Sequence, residues 1–186
     1  MCIRDSIHGD YAEIVSVSGM DSVTEYELWK ATWSALKEEN FFELDWTLKR
    51  HNTFVESFVP VTFVGNHDVS RIATQVGADK AVLAATVLFT VAGVPLVYYG
   101  DEQGFAGAGG YGNARQDMWP SRTPAYADET PVGGRQPAYS TQAPLYRAIA
   151  EMARIRAAEP ALRRGRQVVR AYGDKPGLFA LSRLMD

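Results

Sequence analysis

The sequence predicts an α/β fold organised around a parallel sheet, and three observations carry that expectation. Residues 61–64, Val-Thr-Phe-Val, form a compact apolar run bounded by Pro60 and Gly65, as a strand buried on both faces does. Residues 79–92 are good helix formers stopped by Gly93 and Pro95. Residues 96–99, Leu-Val-Tyr-Tyr, make a second apolar run that Gly100 halts. Strand, helix, strand in this order is a βαβ unit, whose strands run parallel and whose crossover is right-handed.

The flanking elements follow from periodicity. Residues 22–28 alternate well enough for a short strand. Leu28, Ala31, Ala35 and Leu36 then fall at helical spacing, and Leu44, Leu48, His51 and Val55 form a second helical stripe ending before Pro60. Residues 104–139 hold no period and are dense in Gly and Pro, the texture of a long functional or disordered loop. Ser140 or Thr141 is expected to cap a helix with Pro144 in its first turn and Leu145, Ile149, Met152 and Ile155 inward. Residues 167–172 and 178–184 read as two strands that open an antiparallel β region.

Composition narrows the class. With 186 residues, 46% hydrophobic and 22% charged, the chain is globular and long enough for one sizeable core. A net charge of -3 gives no basic field to attract nucleic acid or an anionic membrane. Arg163, Arg164, Arg166 and Arg170 read as a solvated helix end and strand face. Cys2 is the one cysteine, so no internal disulfide forms; cytoplasmic and exported locations both stay open. The most apolar stretch, residues 81–97, is broken by Thr86, Thr90, Gly93 and Pro95, and no apolar leader opens the chain.

Chemistry concentrates at the strand ends. Parallel sheets meet their ligands at the carboxyl ends of the strands, and Asn66, His67 and Asp68 stand immediately after one. A carboxylate beside an imidazole and an amide can hydrogen-bond a polyhydroxy substrate and stabilise developing positive charge. Arg71, one turn on, is placed to pair with Asp68 and keep it ionised. The residues alone leave a second reading open, in which Asn66 or Asp68 caps the following helix and His67 packs against a neighbour. Asp101 and Glu102 follow the next strand, but adjacent residues of an extended chain point to opposite sides. They read as a capping and rim element rather than an acid/base pair. His8, His51 and His67 are too scattered for a metal centre, and the glycines of residues 104–112 lack the lysine of a phosphate loop.

Taken together, Phe63-Val64-Gly65-Asn66-His67-Asp68 resembles the end of the seventh barrel strand in glycoside hydrolase family 13, the α-amylase family. Residues 93–102, Gly-Val-Pro-Leu-Val-Tyr-Tyr-Gly-Asp-Glu, resemble that family's eighth strand. Arg115 to Trp119 are similar to its Arg-x-Pro-Met-x-Trp stretch, without the proline. The resemblance runs from about His8 onward and implies a partial (β/α)8 TIM barrel, about strands 6–8 with their helices, followed by the start of an antiparallel β domain. It divides the chain into residues 1–6, a non-native or broken start, residues 7–162, the C-terminal part of the barrel, and residues 163–186, the opening of a β-sandwich.

The same resemblance implies a retaining enzyme acting on α-glucans or related α-glucosides. Asp68 matches the carboxylate that stabilises the transition state, and His67 matches a sugar-binding histidine, with Asn66 and Arg71 as supporting substrate-binding residues. The nucleophilic Asp of a Gly-x-Arg-x-Asp motif does not occur before residue 20, and no Gly-Glu pair supplies the acid/base where residues 1–6 stand. A complete barrel takes about 250 residues. The expectation is therefore a piece of the parent enzyme, inactive alone. Sucrose-acting enzymes and trehalose synthases share the motifs; a non-catalytic carbohydrate-binding relative is the other alternative, and the intact Asn66-His67-Asp68 stands against it. No cofactor is implied; a structural calcium fits such a parent, with no ligands assignable here.

Overall fold

The computed structural model describes residues 11–107, 114–116, 118, 139–173 and 177–185. The expected loop at residues 104–139 and the expected start at residues 1–6 lie largely or wholly outside them. In chain order the elements are helices α1 (Tyr11–Ser18), α2 (Tyr26–Glu38) and α3 (Phe42–Val55), strand β1 (Val61–Phe63), helix α4 (Ile72–Thr90) and strand β2 (Val94–Leu96). A 3-10 turn (Asp101–Gln103), helices α5 (Pro144–Ala158) and α6 (Pro160–Arg164), and strands β3 (Arg166–Tyr172) and β4 (Phe179–Leu184) complete them.

The βαβ unit forms as the sequence implies. β1 and β2 pair in parallel, Val61 with Val94 and Phe63 with Leu96, and α4 crosses between them. β1 is buried, with Thr62 and Phe63 at 1% and 2% exposure. The second strand corrects the expectation: it runs at Val94–Leu96 rather than 96–99, and Val94, Leu96 and Val97 are exposed rather than buried. Gly93 sets its start. Its φ is +113°, and a Cβ there would stand 2.7 Å from Thr62 Cγ2 and 2.9 Å from the Pro60 carbonyl oxygen. The exposure follows because, among the described residues, β2 has a pairing partner on β1's side alone.

The strand expected at residues 22–28 shrinks to one parallel bridge between Thr24 and Val61. Tyr26 instead opens α2, which draws Leu28 into a buried stripe with Ala31 and Ala35 against Leu44, Leu48 and Val91. Burial of that stripe overrides a short alternating pattern. α4 begins earlier than periodicity implies, at Ile72, with a kink at Gly77 (φ +80°, ψ 167°) that interrupts the period. It has the length and apolarity of a membrane span. Ala81, Ala84, Leu88 and Phe89 nevertheless pack it as a core helix against Leu36, Val64 and Leu145.

Ser140 does not cap α5; Ala143 holds that position without a side-chain bond. Ser140 is engaged elsewhere, exchanging two bonds with the Gln103 side chain: its N–H donates to Oε1 (2.8 Å), and its carbonyl accepts from Nε2 (3.3 Å). β3 and β4 form the expected antiparallel hairpin, and Val169, Phe179 and Leu181 seat it on the core of α2, α3 and α4.

Arg156 locks these layers. Its buried guanidinium donates to the carbonyls of Phe89, Val91, Leu162 and Gly93 at 2.9, 3.1, 2.7 and 2.6 Å. Four acceptors, at the end of α4, just before β2 and in α6, thus meet on one side chain. Arg156→Met is expected to leave them unsatisfied and to cost about 3 kcal/mol. A urea midpoint equal to that of the parent chain would contradict this.

Candidate active site

The site is a turn laid down by the end of β1. Gly65 permits it: a Cβ there would meet Asp101 Oδ2 at 2.5 Å, so the turn passes against the segment after β2 at a distance only glycine allows. Asn66 is 9% exposed and works in two directions. Its Nδ2 donates to the Tyr26 hydroxyl (3.1 Å), and its Oδ1 accepts from the Asp68 backbone N–H (2.8 Å), closing an Asx turn. The amide therefore both caps the turn and orients the next two side chains.

His67 and Asp68 stand beyond it. The His67 side chain is 58% exposed, so it is not packed into the core, and its Nε2 lies 3.1 Å from Asp68 Oδ2. The Asp68 carboxylate is 9% exposed, and its other oxygen accepts from Arg115 Nη2 at 3.3 Å. Arg115 also donates through Nε to the His67 carbonyl oxygen at 3.0 Å. A shielded carboxylate flanked by a guanidinium and an open imidazole is the kind of group that accepts from sugar hydroxyls and faces a developing cation.

Arg71 corrects the sequence reading. It pairs with Asp101, Nη1 to Oδ1 at 2.9 Å, and not with Asp68. It is fully buried, with its guanidinium turned to the segment after β2. Nε donates to Gln116 Oε1 (3.1 Å) and Nη1 to the Tyr99 carbonyl. The rings of Tyr98, Tyr99 and Phe105 surround its guanidinium at 4.4, 5.2 and 5.4 Å. Asp101 is correspondingly no rim residue: it is 4% exposed. Burial pushes its carboxyl up from 3.8 to about 6, with the Arg71 charge and hydrogen bond pulling the other way.

Sequence reasoning thus finds Asn66, His67 and Asp68 together and misses Arg115 and Asp101 as their supports. The Arg-Gln-Asp-Met-Trp wording of residues 115–119 is the signal that points to Arg115. His51 is a structural residue, fully buried between Glu25 Oε2 (2.6 Å) and the Ala92 carbonyl (3.0 Å). Among the described residues no three His, Cys, Asp or Glu side chains come together.

A parallel βαβ core with a carboxylate and a histidine at its strand end has the arrangement of part of a parallel α/β barrel with its site at the carboxyl ends of the strands. Residues 15–165 match the alpha amylase catalytic domain, and the chain belongs to that family. The alpha-amylase of Streptomyces lividans is 44% identical over 142 residues, covering 68% of this chain and 16% of that protein. The 4-alpha-glucanotransferase of Thermotoga neapolitana is 41% identical over 76 residues, 39% of this chain and 17% of that protein. The chain therefore spans about a sixth of the length of these relatives. The alpha-amylase structure from H. orenii superposes with a TM-score of 0.77 at 21% identity, over 96% of this chain and 40% of that one, and shows the partial TIM-barrel fold.

The sign of the Asp101 shift gives a test. A carboxyl raised to about 6 stabilises the fold below its unfolded value near 3.8 and loses that contribution as pH rises through 6. Relative to Asp101→Asn, the parent chain is expected to lose stability between pH 4 and 6 and to hold level from 6.5 to 8. Denaturant midpoints rising with pH over that window would mean the Arg71 charge outweighs burial.

Proposed function

We propose that this chain is the strand 6–8 portion of a retaining, α-glucan-acting enzyme's barrel, with β3 and β4 opening its C-terminal β domain. The supporting observation is the placement of Asp68: at a strand end, nine-tenths shielded, with His67 beside it and Arg115 behind it. In this reading Asp68 binds sugar hydroxyls and stabilises the oxocarbenium-like transition state, and His67 hydrogen-bonds the sugar ring that bears the charge. Asn66 sets their geometry through the Asx turn, and Arg71 acts only through Asp101. The relatives' names, alpha-amylase, 4-alpha-glucanotransferase and cyclomaltodextrin glucanotransferase, favour α-glucans over sucrose or trehalose as the substrate class. One amylase of the same fold, from Geobacillus thermoleovorans, was crystallised with acarbose.

Retaining hydrolysis needs two further carboxyl groups about 5–5.5 Å apart, one a nucleophile and one an acid/base. The family motifs that carry them do not occur in this sequence. The chain supplies the stabilising part of the site and turns nothing over alone. A domain graft tests both statements. Residues 15–165 replacing the aligned segment of the S. lividans alpha-amylase are expected to give a starch-hydrolysing chimera. Asp68→Asn in that chimera should lower kcat by about 10²–10³. Starch hydrolysis by the isolated chain, or a chimera indifferent to Asp68→Asn, would refute the assignment.

A further inference from the structure

We infer that the open cavity between α3, α6 and the β3–β4 hairpin binds an oligophosphate, free or carried as the tail of an organic ester. The cavity holds about 770 Å³, and Arg163, Arg164, Arg166 and Arg183 stand in its wall. Gly93, where β2 is about to start, lines it too, so it lies at the other end of the strand pair from Asn66, His67 and Asp68. Its volume is that of a small-molecule site rather than a crevice for a single ion.

Close packing at one glycine gathers the arginines. A Cβ on Gly165 would stand 2.6 Å from the Ala161 carbonyl oxygen and 2.7 Å from that of Leu184. The turn there sets Arg163 and Arg164, at the end of α6, and Arg166, at the start of β3, beside Arg183 of β4. Arg183 is held rigidly: Nε and Nη2 donate to the Gly165 carbonyl at 3.2 and 2.7 Å, and Nη1 to that of Thr90 at 2.9 Å. Three of its five N–H groups are thereby engaged and two remain. The floor is fixed as well. Gln167, opposite Arg183 in the hairpin and 4% exposed, donates through Nε2 to Asn52 Oδ1 (3.1 Å) and accepts from the Ala92 N–H at Oε1 (2.9 Å). A site framed in this way is in place before its ligand arrives, which lowers the ordering cost of binding.

Charge selects the occupant. Among the described lining residues Glu56 is the one carboxylate against four guanidinium groups. Arg163, Arg164 and Arg166 are exposed, and no carboxylate among the described residues pairs with them. A helix C-terminus attracts cations, which accounts for Arg163 and Arg164 but not for Arg166 or Arg183. Arg170, expected on the same solvated face, stands outside the cavity and donates to Ser182 Oγ at 3.1 Å. Arg156 adds a further cation behind the wall: burial, and then the Arg156 charge, pull the Arg183 guanidinium down to about 10. Crowded guanidinium groups in a chain of net charge -3 call for an anion, and their planar forks match phosphate oxygens in pairs. One phosphate answers part of this charge, whereas a short chain of them spans the wall. No described lining residue is aromatic, so neither a stacked base nor a sugar ring finds a face to pack on.

Isothermal titration calorimetry of the full chain with metal-free tripolyphosphate, at about 0.1 M ionic strength, tests the site. Saturable binding of one equivalent is expected. Arg163→Gln and, independently, Arg166→Gln should each weaken it at least about tenfold, because each removes a charged donor from the anion. Both side chains are exposed, so the far-ultraviolet circular dichroism should stay the same. Arg170→Gln, outside the cavity, should bind like the parent chain. Metal-free ATP offers the same phosphate chain as an ester: tighter binding of ATP makes the ester the ligand, and equal or weaker binding the free anion. The proposal is overturned if neither compound binds, or if both cavity variants bind like the parent chain. An equal loss with Arg170→Gln would also overturn it, since the anion would then be answering a general surface field and not the cavity.

Discussion

Arg71 is the largest fully buried side chain among the described residues, and its charge stays in the core because Asp101 answers it. The contact joins the start of α4, directly after the site turn, to the 3-10 turn after β2. Gly65 lies against the same carboxylate, so the turn that presents His67 and Asp68 is seated on Asp101. A buried ion pair adds little net stability over an apolar substitute, but losing one partner strands a charge in the core and is costly. What the pair contributes is registry: it fixes the end of β1 against the segment after β2. The three rings around the guanidinium and the Gln116 amide restrict it to one arrangement.

Support for the site is thus layered. Asn66 orients the turn locally through its own backbone and through Tyr26. Arg115 orients Asp68 from a distant part of the chain while also gripping the His67 carbonyl. Beneath both lies the Arg71 pair, and beneath that the α4 core, whose terminal carbonyls Arg156 collects. Each layer places a polar group where an apolar residue would pack as well but would not fix direction. The open His67 ring above them is the exception, and exposure is what a group meant to meet a ligand needs.

What was legible in the sequence was local. The run at residues 61–64 and the good formers after residue 79 showed β1, α4 and their parallel order, because each carries its signal within a few residues. Gly77 hid the first turn of α4, and residues 22–25 mimicked a longer strand because the pull of Leu28 into the α2 stripe comes from α3. In the site, Asn66, His67 and Asp68 were readable as neighbours on a strand end. The sequence points Arg71 to the wrong carboxylate for a physical reason: it offers the nearest acid, three residues away, whereas the fold brings in Asp101 from thirty away. Arg115 reaches Asp68 across forty-seven residues, which no local pattern encodes.

The most direct test of Arg71–Asp101 as the organising contact is a double-mutant cycle with Arg71→Gln and Asp101→Asn. Measured by urea unfolding at pH 7.5, where Asp101 is ionised, it should give a coupling energy of about 2 kcal/mol, because each single change strands the other partner. Coupling within about 0.3 kcal/mol of zero would mean the two residues act independently, and the seating of the site turn would then need another cause.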